Sequence, residues 1–177
     1  MERREAGGGG EIARVLFAGL LLLFALGQGP VIQSLFPLDV TPNLVLVLVT
    51  LWAGYHGLRE GMAWAFAAGI LLDLLLFAPL GAHALAFMAV VLAIEPVRQI
   101  AFGDNHAWAL VVVFVAALLG DFVFLIVTNA AGHPLRLDTL WRFSIARALT
   151  DVLAAVLFMP FVLWMRRWGK HADFAAH

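Results

Sequence analysis

The sequence contains no cysteine and few charged residues. Cysteine is absent from all 177 positions, which excludes disulfides, thiolate nucleophiles and cysteine metal sites. Charged residues make up 13% of the chain, whereas ordinary soluble domains carry about 25%. With 11 basic and 12 acidic side chains the formal net charge is −1, which gives no electrostatic reason to expect nucleic acid as a partner. The scarcity of charged residues indicates instead that the chain lies in a membrane.

Motifs for catalysis and metal binding are also missing. No two of the 6 histidines have the i,i+3 or i,i+4 spacing that places two metal ligands on one helix face. No serine lies in a Gly-x-Ser-x-Gly context, and no glycine-rich phosphate loop is present. We therefore predict that the chain is not an enzyme and that it uses no metal or cofactor.

The chain is rich in apolar residues, which form long runs. Hydrophobic residues make up 63% of the sequence, and its mean hydropathy is +0.96. We predict an all-α integral membrane protein with about six transmembrane helices. Five is the alternative, because two of the runs fall well short of the ~20 residues that a crossing helix needs. The runs are 12–36, 43–55, 61–77, 82–94, 107–130 and 140–164.

The basic residues fall mainly on one side of the predicted bundle. With six spans, 8 of the 11 Lys and Arg residues lie on one side and two on the other, with Arg147 just inside the last helix. Because basic loops remain in the cytoplasm, we predict that both termini are cytoplasmic. A flexible amino-terminal segment, 1–11, and a cytoplasmic tail, 169–177, then flank a single transmembrane domain, 12–168.

Four ionisable side chains are predicted to lie inside the membrane near the outer helix ends: Asp73, Asp121, Arg147 and Asp151. Arg147 and Asp151 are four residues apart and can pair on one helix face. Gly69 precedes Asp73 by one turn, where a small residue lets a neighbouring helix bring a partner to the carboxylate. An ionised group in hydrocarbon costs roughly 2.5–3.5 kcal/mol, so this cluster is either a device that fixes helix register or a ligand or partner site.

Two short motifs resemble the MreD family, the membrane component of the bacterial rod-shape elongation machinery. The stretch "TPNLVLVLV", 41–49, contains the Pro-Asn-Leu that opens an early helix in that family. The stretch "AFAAGILLDLLLFAPLGAHAL", 65–85, contains the Gly-Leu-x-x-Asp helix that ends in Pro-Leu-Gly, with Ile70 where leucine is usual. The two motifs also occur in the family's order, and the remaining helices match only in number, length and apolarity.

The resemblance implies a non-enzymatic scaffold of the bacterial cytoplasmic (inner) membrane that helps determine cell shape. The family works with MreC, a single-span protein with a large external domain. Through MreC it works with MreB, RodA and a class B penicillin-binding protein, which build side-wall peptidoglycan. The resemblance also implies the fold of the substrate-binding subunits of energy-coupling-factor transporters, so such a subunit is the alternative function. Neighbouring cell-wall genes would favour the scaffold, and neighbouring transporter genes the alternative.

We expect seven residues to form a partner or ligand site at the outer helix ends: Asn43, Asp73, Gly81, His83, Asp121, Arg147 and Asp151. Asn43 suits a helix amino terminus, where its side chain can accept from free amides. Gly81 is predicted to adopt a positive φ in a tight turn between antiparallel helices. If Asp73 helps to fix the surface on which MreC docks, Asp73→Asn should weaken that complex. If Asp73 only holds the protein together, the same change should be nearly silent.

Overall fold

The structure is a computed structural model, and the part of the chain that it describes is helical, with no strand. It describes residues 8–28, 41–103, 106–132 and 137–174. The α-helices in these ranges are α1 (Gly8–Gly27), α2 (Leu44–His56), α3 (Leu58–Leu75), α4 (Ala82–Ile94), α5 (Arg98–Ala101), α6 (His106–Ala130) and α7 (Leu137–Phe174). A 3₁₀ turn, Glu95–Val97, joins α4 to α5. The all-α class predicted from the sequence is confirmed.

Four helical stretches in the described residues are long and apolar enough to cross a membrane: Gly10–Gly27, Ala82–Ala101, Ala107–Ala130 and Ser144–Trp164. The other two long helices differ in kind. Helix α2 is apolar but has only 13 residues. Helix α3 has 18 residues but contains Arg59, Glu60 and Asp73. Four spans therefore follow from length and composition, while the count of six and the transporter-like fold stay predictions.

Successive long helices run in opposite directions. Helix α1 begins beside the start of α3, where Arg14 pairs with Glu60. It ends beside the start of α2, where the side-chain amides of Gln28 and Asn43 are in contact. We call the end of the bundle that holds Asn43 the cavity end, and the end that holds Arg14 the basic end.

Helix α2 is the centre of the bundle. Every residue from Val45 to Gly54 is buried, and α1, α3, α4, α6 and α7 all pack against it. Its 13 residues extend about 20 Å at 1.5 Å per residue, less than the ~30 Å of a hydrocarbon core. Because other helices surround α2, its short length does not leave its backbone ends facing lipid.

An aromatic layer ties α1, α2 and α3 together at the basic end. Phe17 stacks on Trp52 with ring centroids 4.1 Å apart, and His56 stacks on Trp52 at 3.8 Å. The Trp52 indole Nε1 donates to Glu60 Oε2 at 3.3 Å. Since Glu60 also pairs with Arg14, one carboxylate connects all three helices. At the basic end, the polar side chains of Arg14, Trp52 and Glu60 therefore bind to one another and hold α1, α2 and α3 together.

Helices continue into both of the segments that were predicted to flank the transmembrane domain. Helix α1 begins at Gly8, inside the segment 1–11 that was predicted to be flexible. Helix α7 continues to Phe174, inside the predicted tail 169–177. Residues 1–7 and 175–177 lie outside the described part of the chain.

Candidate functional site

Asp73 lies in the last turn of α3 and is only 1% exposed. Its Oδ2 accepts a hydrogen bond from the Gly81 amide at 2.8 Å. Its Oδ1 accepts from the His83 amide at 3.0 Å and contacts His83 Nδ1 at 2.7 Å. The amides lie at the start of α4, where backbone donors have no partner within the helix. Asp73 therefore caps α4 from another helix, and these bonds offset the cost of burying its charge.

A close contact between α3 and α4 brings these groups together. A Cβ atom on Gly69 would lie 2.3 Å from Ala84 Cα and 2.4 Å from the Ala84 backbone nitrogen. Only glycine permits this approach without moving a backbone, because side-chain rotation cannot relieve the clash. The predicted role of Gly69, one turn before Asp73, is confirmed.

The turn between α3 and α4 contains two residues with positive φ. Gly81 has φ +95°, as the sequence predicted, and it precedes α4 directly. Phe77 has φ +53°, which is a rare value for a bulky side chain. The turn is held by hydrogen bonds from the Ala78 amide to the Asp73 carbonyl at 3.1 Å and from the Ala82 amide to the Pro79 carbonyl at 3.0 Å. The strain at Phe77 has no signal in the sequence.

Arg147 pairs with a different carboxylate from the predicted one. Its Nη2 lies 3.4 Å from Asp121 Oδ1 on the neighbouring α6, and Asp121 also accepts from the Ser144 hydroxyl. Asp151, the predicted partner, accepts from the Asn43 amide at 2.6 Å, and its interaction with Arg147 is electrostatic. The free amide at the start of α2 is thus satisfied by a carboxylate of α7. The prediction considered spacing along one helix, whereas packing between helices decides the partners.

Asn43 caps α2 as predicted. Its side-chain oxygen accepts from the Leu46 amide at 3.1 Å, while its own amide donates to Asp151. These two bonds use the side-chain oxygen and the backbone amide of Asn43 at the same helix end. Asn43 consequently connects the amino terminus of α2 to α7.

A cavity of about 280 Å³ lies where these helices meet at the cavity end. Its polar lining comes from four helices or their ends and consists of Asn43, His83, Asp121 and Arg147. Most of the remaining wall is apolar and includes Phe124, whose ring centroid lies 4.3 Å from that of His83. The spacing of Phe124 from Asp121, three residues on α6, could have signalled that the two share a face.

The other three predicted site residues lie behind this lining. Asp73 bonds to His83, and Asp151 bonds to Asn43, so each carboxylate orients one lining residue. Gly81 shapes the adjoining turn. In the described residues no group of three His, Asp or Glu side chains is placed to hold a metal ion.

A larger groove of about 400 Å³ lies toward the basic end, between α4, α5 and α6. Its lining consists of alanine, valine, isoleucine and leucine residues together with Trp108. This groove has no charged group in its lining, whereas the smaller cavity has both a carboxylate and a guanidinium.

Together these features define a helical membrane protein whose buried charges join its helices around a polar cavity at one end. The chain matches the family described as rod shape-determining protein MreD over residues 11–170, and it belongs to that family. No curated protein and no solved structure matches the chain. The family resemblance predicted from the two motifs is confirmed, and the chain has a role in determining rod shape.

Proposed function

We propose that this chain is a non-enzymatic scaffold of the bacterial cell-elongation machinery that binds MreC directly and supports side-wall peptidoglycan synthesis. Contacts with MreB, RodA and the class B penicillin-binding protein are then indirect or weaker. The observation that carries this proposal is the family match over residues 11–170. The internal use of Asp73 and Asp151 as helix caps agrees with a structural role for these charges.

The proposed location is the bacterial inner membrane, with both chain termini in the cytoplasm. The excess of basic residues at the basic end supports this orientation, because basic flanks are retained in the cytoplasm. The cavity end then faces outward, on the side where the large external domain of MreC lies.

The turn between α3 and α4 is the proposed docking point for MreC. Phe77 is 96% exposed and Leu80 is 72% exposed, so the turn presents two apolar side chains beyond the helices. Phe77 holds this position despite a positive φ, and such strain is retained where the surrounding structure enforces it. Asp73 supplies that enforcement through its bonds to Gly81 and His83. Asp73 would thus act on MreC indirectly, by fixing the turn.

Co-purification of MreC with the full chain tests this proposal. Phe77→Gly removes the exposed ring and also relieves the positive φ, so the variant should fold at least as well as the wild type. Recovery of MreC should fall roughly tenfold or more, as expected for loss of an aromatic anchor. Phe66→Ala is the matched control, because Phe66 is also an exposed phenylalanine, at 55%, but lies within α3 and not in the turn.

Two results would contradict the proposal at different levels. Failure of the wild-type chain to recover MreC would exclude direct binding. Equal recovery with Phe77→Gly and Phe66→Ala would place the MreC interface elsewhere and leave Phe77 as a contact with lipid.

The cavity is the observation that favours a second candidate, a substrate-binding subunit of an energy-coupling-factor transporter. In that case the chain should co-purify with a coupling subunit and an ATPase, and the Phe77→Gly change should leave that complex intact. The family match makes the scaffold the stronger proposal.

A further inference from the structure

The cavity contains one cation and one anion that are only loosely paired. The Arg147 Nη2 and Asp121 Oδ1 atoms are 3.4 Å apart, whereas strong charge-assisted hydrogen bonds measure about 2.7–2.9 Å. The Arg147 Nε atom is buried and has no hydrogen-bond partner. A buried N–H without a partner is costly, and a guanidinium offers five donors. The Nε atom is closed off from the cavity, but the Arg147 side chain is 29% exposed and lines it, so the guanidinium retains donors for a group bound there.

The other carboxylates at this end are already engaged. Asp73 accepts from three donors in the turn and in α4, and Asp151 accepts from the Asn43 amide. Asp121 is the carboxylate that lines the cavity. A cation that entered the cavity would therefore bind to Asp121, and an anion that entered it would bind to Arg147.

His83 adds a third polar group whose orientation is fixed. Its Nδ1 is bound to Asp73, which leaves Nε2 as the ring nitrogen available to the cavity. Contact of its ring with Phe124 holds the imidazole against the apolar wall. The apolar part of the wall lowers the local dielectric, so the charges of a bound group would be screened less than in open water.

We propose that this cavity binds a small zwitterionic group, in which a primary ammonium and a phosphate or carboxylate are joined by a short linker. A simple anion would be repelled by Asp121, and a simple cation by Arg147, whereas a group with both charges is complementary to the pair. The cavity lies level with the starts of α2 and α4, near one membrane surface. The headgroup of phosphatidylethanolamine and a free solute such as phosphoethanolamine share the required chemistry.

Native mass spectrometry of the delipidated full chain in detergent tests the proposal with defined lipids. We expect one phosphatidylethanolamine per chain to be retained at least tenfold more strongly than phosphatidylglycerol, which lacks the ammonium. Asp121→Asn and Arg147→Gln should each weaken retention roughly tenfold, as for loss of a charge-assisted hydrogen bond. The double variant Asp121→Asn/Arg147→Gln removes both members of the ion pair together, and its unfolding temperature separates an effect on binding from an effect on folding.

Glu95 and Arg98 provide a matched control at the opposite end of α4. They also form a carboxylate–guanidinium pair, 3.1 Å apart, and they do not line the cavity. Glu95→Gln and Arg98→Gln should leave retention of phosphatidylethanolamine unchanged.

Competition with free phosphoethanolamine distinguishes the two sources of the ligand. Displacement of the lipid at comparable concentration would identify a free zwitterion as a sufficient ligand. Retention of the lipid alone would support the proposal with the membrane as the source. Equal retention of phosphatidylglycerol, or unchanged retention by the folded double variant, would overturn it.

Discussion

At the scale of the residue, Asp73 is defined by the donors that surround it. Its two oxygens accept from the amides of Gly81 and His83 and contact the His83 ring. Asparagine would replace one oxygen by an amide nitrogen, which cannot accept. We expect Asp73→Asn to lower the free energy of unfolding by about 1–3 kcal/mol, the cost of leaving a buried donor unpaired. Thermal unfolding in detergent, followed by tryptophan fluorescence, measures this change.

Glu95→Gln is the control for loss of a carboxylate. Glu95 forms a partly exposed pair with Arg98 near a helix end, which should contribute little to stability. If Asp73→Asn and Glu95→Gln unfold at the same temperature, the hydrogen bonds to Asp73 do not stabilise the turn.

Single residues also show what the sequence could predict. The cap at Asn43 and the positive φ of Gly81 follow from local chemistry, and both were predicted. The partners of Asp73, Arg147 and Asp151 were not, because they come from other helices. Spacing along one helix suggested a pair between Arg147 and Asp151, but the ion pair forms with Asp121 across the contact between α6 and α7.

At the scale of the element, the contact of α3 with α4 depends on Gly69. An alanine there would bring its Cβ within 2.3 Å of the Ala84 backbone, so the two helices must separate. We expect Gly69→Ala to cost about 1–3 kcal/mol, as overpacking generally does. The same unfolding assay measures it.

Gly19→Ala is the matched control for a helical glycine. A Cβ on Gly19 would meet nothing within 4 Å, and alanine is the better helix former. Gly19→Ala should therefore be neutral or slightly stabilising. Equal effects of Gly69→Ala and Gly19→Ala would mean that the close approach of α3 and α4 is not needed for stability.

Helix limits were predictable where apolar runs end at turn residues. Helices α2, α4 and α6 lie within one residue of their predicted limits. Helices α3 and α7 begin three residues before the apolar runs. Their first turns contain charged residues such as Arg59 and Asp138, and hydropathy gives no signal for a helix that continues through such residues.

At the scale of the whole molecule, the proposed docking of MreC depends on which end of the bundle faces outward. A turn that binds MreC on the side of its external domain must lie at the outer surface of the cytoplasmic membrane. The absence of cysteine makes single-cysteine variants free of background labelling. Leu80, at the cavity end, and Gln99, at the basic end, are exposed positions suited to such variants.

Labelling with a membrane-impermeant maleimide on intact spheroplasts, repeated after permeabilisation, is the most direct test of this arrangement. We predict that Leu80→Cys is labelled in intact spheroplasts and that Gln99→Cys is labelled only after permeabilisation. The opposite pattern, with Gln99→Cys labelled from outside and Leu80→Cys protected, would contradict an outward-facing cavity and the proposed MreC surface together.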